Sequence, residues 1–86
     1  MKGGFQVEIP NRVRKEMRAL PDILLERVFE VLRGLALDPF PSGVKKLQDR
    51  PEYRVRVGDY RILYEVDTKA RVIVISAVLH RSDAYG

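Results

Sequence analysis

The chain contains no cysteine, no tryptophan and a single histidine, His80. Without cysteine there is no disulfide framework and no thiolate metal site, and one histidine is too few for a histidine-based zinc site. The first residues lack the apolar run of a signal peptide, and the longest apolar stretch, near residues 72–79, is far shorter than a bilayer-spanning helix. We therefore expect a cytoplasmic protein that uses no metal or other cofactor and binds no membrane.

The residues that are present suit a single folded domain over residues 1–86. The composition is 45% hydrophobic and 33% charged, which is ordinary for a globular protein and argues against disorder. There are 16 lysines and arginines against 12 acidic residues, which gives a net charge of +4. Such a balance is compatible with nucleic-acid binding but is also common in domains that bind none, so the placement of the charges must decide.

The spacing of apolar residues predicts a short strand followed by two helices. Apolar and polar residues alternate over residues 5–9, up to Pro10, as in a strand. A first helix is expected to start with Asn11 as its cap, and a second to run from Pro21, at its first position, to Asp38. The apolar side chains that should face the core are Val13, Met17 and Leu20 in the first helix and Leu24, Val28, Val31, Leu32 and Leu35 in the second.

The second half of the chain predicts strands. A loop over residues 39–43 precedes Lys45 and Lys46, and strand-like runs then cover residues 53–66 and 71–79, with a turn at 67–70. The predicted element order is β-α-α-β-β-β. This is an α+β fold in which a two-helix hairpin packs on a mainly antiparallel sheet.

A hairpin at residues 53–64 is the most informative feature. The tetrapeptide Val-Gly-Asp-Tyr at 57–60 predicts a two-residue turn with glycine at the position that type II′ requires. The turn fixes the register, and opposed residues lie on the same side of a sheet. One side is then apolar and faces the core. The other carries Arg54, Arg56 and Arg61, with Arg56 directly opposite Arg61.

Three guanidinium groups on one side of a hairpin repel each other. Directly opposed like charges cost a fraction of ~1 kcal/mol, whereas guanidinium groups bind phosphate oxygens in bidentate fashion. We interpret this side as the binding surface for a phosphate-bearing ligand. The alternative is a solvated sheet face that binds nothing. A longer turn would move Arg61 to the other side and remove the basis of the interpretation.

The C-terminal tail, residues 80–85, follows the last strand directly. An antiparallel last strand would bring this tail beside the Gly58 turn or just beyond it. His80 belongs to the residue type that suits proton transfer at neutral pH. Tyr85 could stack on a base, an interaction worth ~1–3 kcal/mol. The alternatives are a surface histidine and a tyrosine that closes the edge of the core.

Three segments together resemble the RelE-type toxins of bacterial and archaeal toxin–antitoxin pairs. They are Lys45-Lys46-Leu47, residues 53–64 and the tail at 80–85, and the resemblance extends over nearly the whole chain. It implies a RelE/ParE-like fold and a ribosome-dependent endoribonuclease that cuts mRNA in the A site without a metal. In that reaction the ribose 2′-hydroxyl attacks the adjacent phosphate. The resemblance also implies a cognate antitoxin that wraps the toxin with an acidic, amphipathic segment.

The resemblance implies catalytic roles for the three arginines and the last tyrosine. Arg61 and Tyr85 match the family pattern by identity, whereas Arg54 and Arg56 match by position, where the best-known member has lysines. Because an arginine does not release its proton, we expect these guanidinium groups to stabilise charge on the phosphate.

The resemblance also implies a basic residue in the tail, and either His80 or Arg81 can take that position. We expect His80 to be the general acid for the leaving 5′-oxygen, with Arg81 or Tyr85 as alternatives. The basic residues expected to bind RNA are Lys45, Lys46 and Arg81.

The fold alone does not fix the chemistry, so two other functions stay open. One is a ParE-like toxin that inhibits a protein target such as DNA gyrase. The other is a catalytically inactive module that binds RNA or an antitoxin. His80 and the arginine face favour the nuclease, because an inhibitor of a protein target needs no proton donor.

Overall fold

The computed structural model describes residues 4–84 as two helices packed against one face of a five-stranded sheet. The elements are β1 (Gln6–Glu8), α1 (Asn11–Arg18), α2 (Asp22–Leu37), β2 (Lys45–Lys46), β3 (Tyr53–Val57), β4 (Tyr60–Asp67), β5 (Val72–His80) and α3 (Arg81–Ala84).

The sheet has the strand order β1-β5-β4-β3-β2, and every neighbouring pair is antiparallel except β1 with β5. The predicted α+β class and the mainly antiparallel sheet are confirmed. The predicted element order lacked two short elements, β2 and α3. Within residues 4–84, no helix is long and apolar enough to cross a bilayer.

The two main helices begin differently from the sequence-based expectation. Pro10 and Pro21 each stand just before the helix, with φ of −59° and −57° and ψ of 155° and 151°, and neither helix has a side-chain cap. Asn11 is therefore the first residue of α1 rather than its cap, and Pro21 precedes α2. Each proline carbonyl accepts a helical N–H at 2.9 Å. The proline ring, which fixes φ near this value, thus sets both starts.

The hydrophobic core lies between the two helices and one face of the sheet. The apolar rows of both helices are buried there or packed against the buried residues, as their spacing predicted. Each fully buried aliphatic or aromatic side chain contributes about 1.5–3 kcal/mol relative to exposure. The sheet residues buried in this core are Val57, Ile62, Tyr64, Ile73, Ile75 and Val78.

Tyr64 ties the loop after α2 to the sheet. Its side chain is fully buried, and its hydroxyl donates a hydrogen bond to the carbonyl of Pro39 at 2.7 Å. Burial raises the pKa of Tyr64 to about 12, with smaller contributions from Tyr53 and Asp38. The folded protein therefore favours the neutral form of the Tyr64 phenol.

The outer edge of β5 is covered by α1 instead of a strand. β1 pairs with β5 only as far as Val74. Beyond it, Arg12 donates a hydrogen bond to the carbonyl of Ser76 at 3.0 Å, and Glu16 accepts one from the backbone N–H of Val78 at 3.1 Å. Side chains of α1 thus take the hydrogen-bonding place of a missing strand.

Candidate functional site

The hairpin of β3 and β4 has the register that the sequence predicted. Arg56 lies opposite Arg61, and Gly58 stands first in a two-residue turn. Gly58 has a φ of +59°, in the left-handed region that favours glycine. Arg54, Arg56 and Arg61 therefore lie on the face of the sheet that points away from the helices, which we call the open face.

The short strand β2 adds a fourth cation to the open face. Lys45 lies opposite Arg54, so the two side chains are on the same face. Together with Gly43, these two residues, Arg56 and Arg61 line a cavity of about 160 Å³. That volume is roughly five times the share of one water molecule in the liquid, which leaves room for a phosphate group. We call Lys45, Arg54, Arg56 and Arg61 the basic cluster.

The second lysine of β2 points the other way. Lys46 lies opposite Tyr53, on the helix-facing side, and its ammonium is 5.7 Å from the centre of that ring. The ammonium also donates hydrogen bonds to the carbonyl of Arg50 and, at 3.5 Å, to that of Leu47. Of the two lysines predicted to bind RNA, only Lys45 is brought to the arginines. Lys46 instead braces the turn between β2 and β3.

Arg61 is nearly buried although it is charged. It is 5% exposed, and its Nη1 donates hydrogen bonds to the carbonyls of Tyr60 at 3.1 Å and Gly58 at 3.5 Å. Its Nε and Nη2 groups form no hydrogen bond within residues 4–84. A buried cation without a counter-charge is costly, so an anion in the cavity would be strongly attracted.

The basic cluster holds the excess charge of the chain. Outside it, twelve basic residues balance twelve acidic residues, so its four cations equal the net charge of +4. Within residues 4–84, no carboxylate forms an ion pair with Lys45, Arg56 or Arg61. Local carboxylates therefore do not neutralise these three cations, whose charge and donor groups suit an anionic ligand.

The tail lies beside the hairpin turn, as expected. The backbone N–H of Arg81 donates a hydrogen bond to the carbonyl of Asp59 at 2.7 Å, and α3 starts at that point. The side chain of Arg81 is exposed at this end of the sheet. Tyr85, the other tail residue to which a catalytic role was assigned, lies outside the described residues.

The structure does not bring His80 to the basic cluster. His80 lies opposite Tyr60, and the two rings pack edge to face with centres 5.3 Å apart. Arg61 lies opposite Leu79, so on β5 the position next to Arg61 on the open face is a leucine. His80 is on the helix-facing side, which corrects the expectation that it shares a surface with the arginines.

A β-bulge determines the side on which His80 lies. Tyr64 lies opposite Ile75 but Leu63 lies opposite Ala77, so Ser76 has no partner in β4. If the register of Tyr64 and Ile75 continued without this extra residue, His80 would lie opposite Asp59 instead of Tyr60, and its side chain would be on the same face as that of Arg61. Because successive side chains of a strand alternate, one extra residue exchanges the faces for the rest of β5.

The ring of His80 is oriented by Ser82. The backbone N–H of Ser82 donates to Nδ1 at 3.3 Å, and the Ser82 hydroxyl oxygen lies 2.9 Å from the same atom. Because Nδ1 accepts a backbone hydrogen bond, the neutral ring carries its proton on Nε2. This contact joins the end of β5 to the first turn of α3.

The strand β2 is the part of the site that sequence reasoning missed. Two residues carry no periodicity of their own, and their faces are defined only by pairing with β3. The sequence feature that could have indicated β2 is the turn that precedes it, at Pro41-Ser42-Gly43. Gly43 has a φ of +90°, and the N–H of Val44 donates to the carbonyl of Pro41 at 3.2 Å.

Comparison with known proteins gives consistent similarities. A family model described as the ParE toxin of the type II toxin–antitoxin system parDE matches residues 7–85. The chain is 36% identical over 85 residues to a putative toxin RelE1 of Methanocaldococcus jannaschii, with 94% of each chain covered. It is 30% identical over 83 residues to the toxin RelG of Mycobacterium tuberculosis, covering 94% of this chain and 95% of that one.

A solved structure shares the fold. The crystal structure of the archaeal RelE–RelB complex from Pyrococcus horikoshii OT3 matches with a TM-score of 0.83 at 33% identity, covering 91% of this chain and 96% of that one. The class defined by these similarities is the toxin of a type II toxin–antitoxin pair. Within that class the chain belongs to the RelE/ParE family and is a RelE-like toxin.

Proposed function

We propose that this toxin is a metal-independent endoribonuclease that cuts mRNA in the ribosomal A site, in the cytoplasm. The observation that carries the proposal is the basic cluster, in which three arginines and a lysine line one cavity. A phosphodiester is the ligand that guanidinium groups match best in charge and geometry. A protein-target inhibitor of the same fold would have no need of a phosphate-sized cationic cavity.

The cluster would act on the transition state of the cleavage. The ribose 2′-oxygen attacks the adjacent phosphorus, the 5′-oxygen leaves, and the products are a 2′,3′-cyclic phosphate and a 5′-hydroxyl. Negative charge grows on the non-bridging oxygens as phosphorus becomes five-coordinate. Preorganised donors aimed at such charge contribute about 10²–10³ in rate each. Arg61 suits this role because its nearly buried guanidinium is held in place by two backbone carbonyls.

The remaining tail and lysine residues take different places in the proposal. Arg81, exposed beside the turn, would contact the backbone of the RNA, and Tyr85 would stack on a base. The ammonium of Lys46 donates hydrogen bonds to two backbone carbonyls on the other side of the sheet, so we propose no RNA contact for this residue. The role of general acid expected for His80 loses its support, because His80 and the basic cluster are on opposite faces.

A cognate antitoxin is the second partner we propose. The solved relative from P. horikoshii is a RelE in complex with RelB. An acidic segment of such an antitoxin would neutralise the four cations of the cluster and keep RNA out of the cavity. The four cations of the cluster equal the net charge of +4, so the contact with an acidic segment would be mainly electrostatic. Because salt screens such contacts, we expect the interaction to weaken as salt rises.

The test is cleavage by the purified toxin of mRNA bound to programmed ribosomes. We expect cuts within the codon in the A site, mapped by primer extension, with 5′-hydroxyl ends that require a kinase before ligation. Free mRNA without ribosomes is the control and should stay intact. Growth arrest with intact mRNA and inhibited gyrase would favour a ParE-like inhibitor. No toxicity and no cleavage would favour an inactive binding module.

A further inference from the structure

Lys45 differs in chemistry from the other members of the basic cluster. A guanidinium keeps its proton under all physiological conditions, whereas a lysine ammonium can donate one. The residues that line the cavity are Gly43 and the four members of the cluster. Lys45 is therefore the one lining side chain among the described residues that can transfer a proton.

The ammonium of Lys45 is available to a ligand. Within residues 4–84, its side chain forms no hydrogen bond or ion pair, whereas that of its neighbour Lys46 is held by two carbonyls. Gly43 leaves the cavity open near Lys45, since a Cβ placed there would meet no atom within 4 Å. The pairing of Lys45 with Arg54 directs its side chain to the open face.

Among the described residues, the histidine and the tyrosines lie on the opposite face of the sheet. His80 and Tyr60 are opposed on the helix-facing side. Tyr53 and Tyr64 stack on that same side, with ring centres 5.8 Å apart. On the open face, the neighbour of Arg61 in β5 is Leu79, which has no proton to give.

We propose that Lys45 is the general acid of the cleavage, an inference that rests on the proposed function. As the 2′-oxygen bonds to phosphorus and the bond from phosphorus to the 5′-oxygen breaks, the ammonium gives one proton to that 5′-oxygen and becomes a neutral amine. A water molecule takes the proton of the 2′-hydroxyl, and solvent reprotonates the amine. The arginines meanwhile hold the non-bridging oxygens.

The substitution Lys45→Arg separates charge from proton transfer. It keeps the cation, so the affinity for RNA should change by less than about threefold, but it removes the transferable proton, so the cleavage rate should fall by about 10²–10⁴. Lys46→Arg is the matched control, with the same change one residue away on the opposite face. We expect it to change neither affinity nor rate by more than about threefold.

A substrate with sulfur in place of the scissile 5′-oxygen sharpens the test, because a thiolate leaves without being protonated. The wild type and Lys45→Arg should cut this RNA at rates within about threefold of each other. Arg61→Met should stay impaired on it, since its role concerns the phosphoryl oxygens. Circular dichroism of each variant checks the fold.

Three results would overturn the assignment. Full activity of Lys45→Arg on ordinary mRNA would remove Lys45 from the chemistry. An equal defect on both substrates would make it a binding residue. A defect of His80→Ala or Tyr85→Phe that disappears with sulfur, when that of Lys45→Arg does not, would transfer the role to the tail. Failure of the wild type to cut either RNA would instead refute the proposed function itself.

Discussion

The two ends of the open face both carry basic side chains, but these side chains differ in their pairing with carboxylates. At one end, Lys45, Arg56 and Arg61 form no ion pair with any carboxylate of residues 4–84. At the other end, a groove of about 430 Å³ has Arg12 and Arg50 in its lining. Each of these has an acidic partner: Arg50 contacts Glu52 at 3.1 and 3.3 Å, and Arg12 lies 3.8 Å from Glu16.

The difference separates charges that serve the fold from charges that serve a ligand. The paired arginines brace the turn before β3 and the edge of β5, and they add nothing to the net charge. Among the described residues, Lys45, Arg56 and Arg61 form no such ion pair, and the four cations of the basic cluster equal the net charge of +4. A one-sided field of this kind directs an anionic partner to one end of the sheet. Four measurements test whether this contrast between the two ends is real.

Among these four tests, the largest effect is expected for Arg61→Met, which keeps a long side chain in the nearly buried site but removes the guanidinium. We expect cleavage of ribosome-bound mRNA to fall by about 10²–10³, the usual loss for one preorganised donor. Arg50→Met, the same change at the paired end, should leave the rate within about threefold. Equal losses in both variants, measured as single-turnover rates, would erase the contrast between the two ends.

Tyr64 lies in the core, on the helix-facing side of the sheet. A change at this residue alters the stability of the fold without altering the charges of the open face. Its pKa of about 12 exceeds the ordinary value of 10, so the unfolded chain loses this proton first. Stability is therefore fully present below pH 10 and declines as pH rises from 10 to 12, by about 2–3 kcal/mol.

Tyr64→Phe provides the reference for that measurement. The variant lacks the phenol but keeps every lysine and arginine, so the difference between the two curves isolates Tyr64. Urea unfolding at several values of pH between 9 and 12 gives both curves. Parallel curves would mean that the phenol ionises as readily in the folded protein as in the unfolded chain.

A smaller effect, with opposite signs at the two ends, is expected for stability. Arg56→Gln removes one of two directly opposed cations and should raise the free energy of unfolding by a few tenths to ~1 kcal/mol. Arg50→Gln breaks the contact with Glu52 and should lower it by up to ~1 kcal/mol. Chemical denaturation at low salt measures both. The same sign for both variants would show that the cluster is not strained by repulsion.

The smallest effect concerns the salt dependence of RNA binding. Each phosphate contact on single-stranded RNA contributes about 0.7 to the slope of log K against log salt. Arg56→Ala should therefore reduce the slope by about 0.7, whereas Arg50→Ala should leave it unchanged. Fluorescence anisotropy with a short RNA, titrated at four salt concentrations, measures the slope. An unchanged slope for Arg56→Ala would place the RNA elsewhere on the protein.

Local patterns predicted the parts of the structure that depend on local interactions. The apolar rows of α1 and α2 and the turn at Gly58 are set by neighbouring residues, and both were found as expected. The gathering of Arg54, Arg56 and Arg61 on one face followed from the turn alone. The helix starts were displaced by one residue, because a proline with its fixed φ occupies the N-cap position of each helix and no described side chain caps either one.

The features that sequence reasoning missed depend on pairing between distant strands. The faces of Lys45 and Lys46 are decided by their partners in β3, Arg54 and Tyr53, because β2 itself is only two residues long. The face of His80 depends on one unpaired residue, Ser76, midway along β5. No local pattern marks that bulge, and its omission moves a histidine from one side of the sheet to the other.

The replacement of a strand by α1 along the outer edge of β5 has a consequence for self-association. Exposed strand edges invite pairing with identical chains and eventual aggregation. Here the carbonyl of Ser76 and the N–H of Val78 are already occupied by Arg12 and Glu16. A second molecule would find no free ladder at this edge, so we expect the toxin to resist edge-to-edge polymerisation there even when no antitoxin covers it.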